Sequence, residues 1–468
     1  MSRVKNIKRF LNEFEGFISG NRLIVENDEL LIAVSGGLDS VVLLRLLFDY
    51  SAKTGIGISV VHFHHHLRGK EADRDASFVE TLSAGLGVPF TMKHLKVKEE
   101  SRKSGSSIQD AAHQLRRREF GELVREFGYT KIATAHHKDD QLETLLMRLI
   151  TGTGPEGMSG IRVREGKYIR PLMFADKNQL KEYAEAAGIE WVEDSSNKEN
   201  SYLRNKLRNK VIPVLKEINP SASDAAVRTA VTFGKMMDGI NGLVDAVLKR
   251  AIVSESESEI TLAISGMTDY FDTIGYFIID KALKRIEKEP PTVINRQFDD
   301  LSKLFESGKT GAEISLSKGF RILKDRDNLI IYKSLSQSEE VPIEIGVPAH
   351  YNDMILETRM SDWNSGSKLP KGGNHEVIDF NLVNEQKLIL SKWREGDRIH
   401  PLGLKGHKKV SDVLTEAKIP LHRKRRYPVL RSGDDILWVC GIRLNDKYKV
   451  TDGTKEVLHL KLIDINLN

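Results

Sequence analysis

Between Leu30 and Ile150 the chain repeats one pattern. Short β-rich runs (LLIAV, GISVVHF, PFTMKHLKV, KIATAHH) each precede an amphipathic helical stretch. Strand–helix alternation of this kind folds as βαβ units with a parallel sheet covered on both faces. The expected class is α/β, with a doubly wound, Rossmann-like parallel sheet over residues 1–215. From about Pro220 the pattern changes to long helical stretches, followed by paired strands in EISLSKGFRILKDRDNLIIYK, so a mainly helical domain is expected over 216–335. SLSQSEE (334–340) reads as a linker, and the short β runs beyond it predict a small β-rich domain over 336–468. In the N-terminal MSRVKNIKRFLNEFEGF, Val4, Ile7, Leu11 and Phe14 stand at helical spacing and predict a docked first helix instead of a secretory signal.

The first strand–helix junction is unusual. LLIAVSGGLDSVVLLRLL places Ser35, Gly36, Gly37, Leu38, Asp39 and Ser40 between two apolar runs. Successive amides in such a turn, at the positive end of a helix, make an anion site, and glycine permits close approach. A plain helix cap by Asp39 or Ser40 would explain fewer of these residues. The usual ATP loop ends in Gly-Lys-Ser/Thr. The chain's Gly308-Lys309-Thr310 has Lys303 where that loop's first glycine belongs, and no strand before it.

A second junction, AHHKDDQLETLLMRLI, places His136, Asp140 and Glu143 at the start of another helix, at the carboxyl edge where parallel sheets bind ligands. Asp39 and Asp140 can then share one Mg2+ on a polyphosphate. Acids in a first helical turn also favour the helix dipole without any ligand. The histidines of VVHFHHHLRG put His62, His64 and His66 on one strand face, but no Cys-x-x-Cys accompanies them, which argues against a zinc deaminase. Arg68, just beyond, is the better functional candidate.

Net charge is +5 and the chain has one cysteine, Cys440, which excludes an intramolecular disulfide and a thiolate zinc cluster. No apolar run is long enough for a membrane span, and cytoplasm is the expected compartment. Charge is unevenly spread. Arg204, Lys206, Arg208 and Lys210 lie in SYLRNKLRNKVIP. Lys405, Lys408 and Lys409 precede LHRKRRYPVLR, which holds Arg423, Lys424, Arg425 and Arg426. Basic clusters of this kind track nucleic-acid phosphates; a merely solvated face is the alternative.

The Ser-Gly-Gly-x-Asp-Ser turn resembles that of the PP-loop ATP pyrophosphatases, which cleave between the α- and β-phosphates and transfer AMP to a substrate oxygen. The matching stretches are VSGGLDS, HFHHHLRG with EADRD, AHHKDDQLETLLMRLITGTG, IRPLMF, DSSNKENSYLRNKLRNKVIP, WREGDRIHPLGLKGHKKVSDVLTEAKIPLHRKRRYPVL and ILWVCGIRL. Together they resemble the tRNA(Ile)-lysidine synthetase family. The resemblance implies ATP and Mg2+ as cofactors, and a tRNA(Ile) with a CAU anticodon and L-lysine as partners. The wobble cytidine is adenylated at the oxygen on carbon 2, and the ε-amine of lysine expels AMP.

On this reading Ser35–Ser40 bind ATP, Asp39 and Asp140 hold the metal, and Asp140, Glu143, His136 and Arg208 serve catalysis. Asp140 or Glu143 takes the amine's proton, and Arg116 and Arg204 hold lysine or adenylate. Arg68, Arg204, Lys206, Arg208 and the C-terminal basic residues hold the tRNA. The family tends to pair an aromatic residue with the arginine near 116; this chain reads Leu115-Arg116-Arg117-Arg118. A PP-loop tRNA sulfurtransferase is the alternative, and the lone cysteine counts against it. Oligomeric state is not legible in the sequence; a homodimer is kept as an expectation.

Overall fold

The computed structural model describes residues 2–67, 69–193, 203–291, 293, 295–334, 340–352, 354–363, 369–370, 373–383 and 388–464. Arg68, the whole DSSNKEN stretch and most of the expected linker lie outside the described residues. The chain divides into two compact units, Met1–Gly239 and Ile240–Asn468.

In the first unit, α1 (Ser2–Gly20) precedes strand β1 (Glu29–Ala33), α2 (Leu38–Thr54), β2 (Gly57–His64), α3 (Lys70–Leu86), β3 (Phe90–His94), α4 (Val97–Ser104), α5 (Ile108–Phe127), β4 (Lys131–Ala133) and α6 (Lys138–Thr151). After α7 (Pro155–Met158), the chain adds β5 (Arg164–Glu165), β6 (Tyr168–Ile169) and α8 (Lys177–Ala187). The sheet order is β3-β2-β1-β4-β6-β5. All pairings are parallel except the short β5–β6 hairpin at the edge. Strand order reverses beside β1, so the turns after β1 and β4 open at one crevice, the usual ligand position of a doubly wound sheet.

The core explains why these runs become buried strands. Leu30 and Ile32 of β1, Val60 of β2 and Val41–Leu44 of α2 are almost fully excluded from water, each worth about 1.5–3 kcal/mol on burial. Helix α1 docks through Phe10, Phe14 and Ile18, with Ile7 and Leu11 partly covered. Phe14 is thus on the buried line the spacing predicted, although that line runs through Phe10 and Ile18 as well.

Beyond α8, Leu203–Lys206 (α9) continues through a π-helical turn, Leu207–Val211, into α10 (Ile212–Ile218). The long α11 (Ala222–Ala251) follows, and the division between units falls within it.

The second unit starts with a five-stranded antiparallel sheet containing Glu259–Ala263, Phe320–Asp325 and Asn328–Lys333, covered by helices Phe271–Ile286 and Asn295–Ser307. Gly308-Lys309-Thr310 follows the second helix and leads to strand Glu313–Ser315, a helix-to-strand connection and not a strand-to-helix phosphate turn. Among the described residues beyond 340, a five-stranded and a four-stranded antiparallel sheet enclose Tyr351, Trp438 and Leu458, and Arg398–Ile399 pairs with Lys408–Lys409 in a two-stranded ribbon. His422, buried on helix Leu421–Lys424, sits 2.7 Å from Glu259 and packs on Tyr332, which ties the two stretches of this unit together.

Candidate active site

The β1–α2 turn is shaped by its glycines. Gly36 has φ of +95°, a left-handed conformation that a side chain resists, and its carbonyl accepts the Val192 amide at 2.9 Å. Gly37 is the N-cap of α2 and no side chain caps this helix, so neither Asp39 nor Ser40 fills that role. The first-turn amides therefore lack intrahelical partners and point toward any bound anion. Ser40 has a different task from the expected phosphate donor. Its hydroxyl donates to the Gly37 carbonyl at 2.9 Å and accepts from the Ser35 amide at 3.1 Å, closing the turn on itself. On β2, His62 Nδ1 lies 2.9 Å from the Val34 carbonyl and supports the strand end from which the turn departs.

The β4–α6 turn is built otherwise. His137 caps α6 through a reciprocal box: its ring accepts from the Asp139 amide, while Asp140 Oδ2 accepts from the His137 amide at 2.9 Å. One oxygen of Asp140 therefore serves the helix end, as a first-turn acid does anywhere. The other accepts from Arg204 at 2.9 Å. Glu143, only 1% exposed, accepts from Arg204 Nε at 2.7 Å and from Arg208 Nε at 2.5 Å. Arg204 and Arg208 reach back some 60 residues to do this, one helical turn apart on the same face, as their spacing predicted. Asp139 turns away from this cluster and accepts from Lys216 at 2.7 Å and Ser223 at 2.5 Å.

The two turns meet at His137. Its Nε2 lies 3.7 Å from Asp39 Oδ2 and 3.5 Å from Asp140 Oδ2. Lys177, at the start of α8, donates to both Asp39 oxygens at 2.7 Å. Burial opposes ionisation of Asp39, but His137 and Lys177 outweigh it and lower its pKa to about 2. For Asp140 burial is likewise outweighed, by His137, His136 and Arg204, and the pKa falls. Burial disfavours the His137 cation, yet the Asp140 and Asp39 carboxylates raise its pKa above the ordinary value. His136 differs: burial brings it down to about 4, so its ring is neutral at physiological pH, with Nδ1 3.0 Å from Thr134 Oγ1.

The expected residues Asp39, Asp140, Glu143, Arg204, Arg208 and His136 thus surround one crevice. Arg116 joins them through its charge: desolvation and then the Arg204 guanidinium lower its pKa, and Tyr168 of β6 opposes that shift. Two residues were missed. His137 is adjacent to the selected His136, and only the cap geometry separates their roles. Lys177 carries no motif; its place opposite Asp39 comes from the sheet order.

In the second unit the basic residues separate. Lys405, Lys409 and Arg425 are exposed. Arg423 is half-buried against Glu259, Lys408 pairs with Glu416, and Lys424 donates to Thr415 at 2.8 Å. Lys206, in α9, is exposed.

The PP-loop domain family matches residues 3–215, and the TilS substrate C-terminal domain family matches residues 388–462. A tRNA(Ile)-lysidine synthase of Parabacteroides distasonis is 33% identical over 447 residues, covering 94% of this chain and 97% of the relative. That of Bacteroides thetaiotaomicron is 30% identical over 454 residues, covering 96% and 98%. The chain belongs to the tRNA(Ile)-lysidine synthase family. A third relative of that name, from Geobacter sulfurreducens, is 28% identical and covers 99% of each chain. Within the lysidine synthase family, then, this chain presents a crevice whose acids come from two turns of one PP-loop domain and whose cations include Lys177, Arg204 and Arg208.

Proposed function

We propose that this chain forms lysidine on the wobble cytidine of a CAU-anticodon tRNA(Ile), using ATP and free L-lysine. The observation that carries this reading is the convergence of Asp39 and Asp140, from separate strand ends, on one imidazole at 3.7 and 3.5 Å. Both carboxylates are held ionised, and an oxygen-rich pair of this kind fits Mg2+. Bound there, Mg2+ would neutralise charge on the triphosphate and favour departure of pyrophosphate.

The protein's own residues account for the remaining demands. The open amides of the Gly37-capped α2 cradle phosphate oxygens, and the Lys177 ammonium, now on Asp39, stands ready to transfer to them. Adenylation turns a poor leaving oxygen into AMP. The incoming ε-ammonium, with a reference pKa of about 10.4, must then shed a proton. Asp140 or Glu143 is the acceptor, and the site must exchange an Arg204 or Arg208 contact for the substrate ammonium. His136, neutral, provides a hydrogen-bonding ring without adding positive charge beside that amine. Arg116 and Arg204 face the adenylate, and the exposed Lys405, Lys409 and Arg425 hold tRNA phosphates without reading bases.

Sulfur transfer has no support from the lone thiol. Cys440 is fully buried and burial pushes its pKa far up, so it is neither exposed nor a thiolate. Incubation with ATP, radiolabelled lysine and a CAU-anticodon tRNA transcript is expected to place label in the RNA, and a guanine at the wobble position to abolish it. Pyrophosphate release without label would contradict the assignment.

A further inference from the structure

The histidines of the HFHHH run separate in the structure. His62 points at the Val34 carbonyl. His64 and His66 instead gather with His94, which ends β3 and has no place in the run. The His64–His66 ring centroids are 4.1 Å apart, and His94 lies 5.0 Å from His66 and 5.5 Å from His64. His66 Nε2 is 2.9 Å from His94 Nδ1. Each of the three rings offers a nitrogen within 4.8 Å of those of the others. A carboxylate completes the group: Asp73, in the first turn of α3, lies 3.1 Å from His64 Nε2 and is largely exposed, free to swing.

Two features are poorly explained by packing alone. His64 is buried, and its Nδ1 has no hydrogen-bond partner. His66 holds φ of +53°, a conformation uncommon for a residue with a Cβ and one that gathers at functional sites. Three imidazoles and one carboxylate are the donor set of a tetrahedral zinc-type centre, in which ligand atoms stand roughly 3.3 Å apart for Zn–N bonds of about 2.0–2.1 Å. The His66–His94 nitrogens, 2.9 Å apart, would spread slightly, and the wider pairs, all within 4.8 Å, would close by up to about 1.5 Å. Mg2+, which takes oxygen ligands, would not choose this set.

We propose that His64, His66, His94 and Asp73 form a second metal site, distinct from the Asp39–Asp140 pair, that takes Zn2+ or a similar imidazole-seeking divalent ion. The ion fastens the ends of β2 and β3 to the first turn of α3. Because β2 also carries His62, it steadies the strand that supports the β1–α2 turn.

The test uses the full chain without a histidine tag, stripped with chelator and titrated with Zn2+ under excess Mg2+, with metal content measured after desalting. Co2+ then replaces Zn2+ to give the visible bands of a tetrahedral centre. One equivalent is expected. His94→Gln, at an exposed position, is expected to weaken binding at least about tenfold, and His66→Asn with His94→Gln to abolish that equivalent. Asn tolerates the left-handed backbone at 66, and unchanged far-UV spectra of the metal-free variants check the fold. No stoichiometric Zn2+, or an equivalent that survives in the double variant, would overturn the site.

Discussion

The two strand-to-helix turns that form the crevice solve the same problem in opposite ways. After β1, Gly36 and Gly37 leave α2 without a side-chain cap, and the acid Asp39, in the first turn of that helix, has a lysine on it. After β4, a His137–Asp140 box closes the α6 terminus, and the acids behind it are clamped by two arginines. An uncapped terminus keeps its amides for a ligand, whereas a capped one gives up amides and gains carboxylates fixed in place. The first turn is built to receive anions and the second to receive cations.

Breaking the second turn has the larger expected effect on stability. Glu143→Ala leaves Arg204 and Arg208 without their main partner. The cost expected in urea unfolding is about 2–3 kcal/mol, below the ~3–5 typical of fully buried pairs because the two arginines are 40% and 37% exposed. Breaking the first turn costs less: Gly36→Ala puts a Cβ on a left-handed residue, for about 1–2 kcal/mol, while the nearest side-chain atom, on Val79, is an ordinary 3.5 Å away. Its larger consequence is a raised KM for ATP with tRNA affinity unchanged.

The pH behaviour of the two turns also differs in sign. The pKa of Asp39 falls from 3.8 to about 2, so its contribution to stability is complete above about pH 4 and lost as pH drops toward 2. That of His137 is raised, so its contribution is complete below about pH 6.5 and lost as pH climbs past the raised value. Lys177→Met is expected to move the acid limb of the stability profile to higher pH and, because the ammonium also opposes the His137 cation, to shift the alkaline limb to higher pH as well, which urea midpoints measured across pH will show. The smallest effect is expected far from either turn. Lys409→Ala or Arg425→Ala should lower tRNA affinity only a few-fold, reduce the salt dependence of log K by about 1 each, and leave the KM for ATP alone.

Much of this comparison was legible in the sequence because both turns are local. Ser35–Ser40 sit between an apolar run and a helix, and the helix bounds Leu38–Thr54 and Lys138–Thr151 follow from apolar spacing. Arg204 and Arg208 reveal their shared face by their spacing of four. What the sequence hides is the remote partner. Lys177 meets Asp39 across 138 residues, and His94 meets His66 across 28, through strand order that periodicity does not report. His136 and His137 differ only in which ring caps the helix. In the basic cluster, composition cannot tell Arg425, which faces water, from Arg423, which is spent on Glu259.

The most direct measurement is pyrophosphate release by Asp39→Asn in the presence of the CAU-anticodon tRNA, read beside its tRNA affinity. Loss of this charge from the open turn should slow release by about 10²–10³-fold while tRNA binding stays within a few-fold of the unaltered chain. Release at the unaltered rate would mean that ATP is not activated between these two turns.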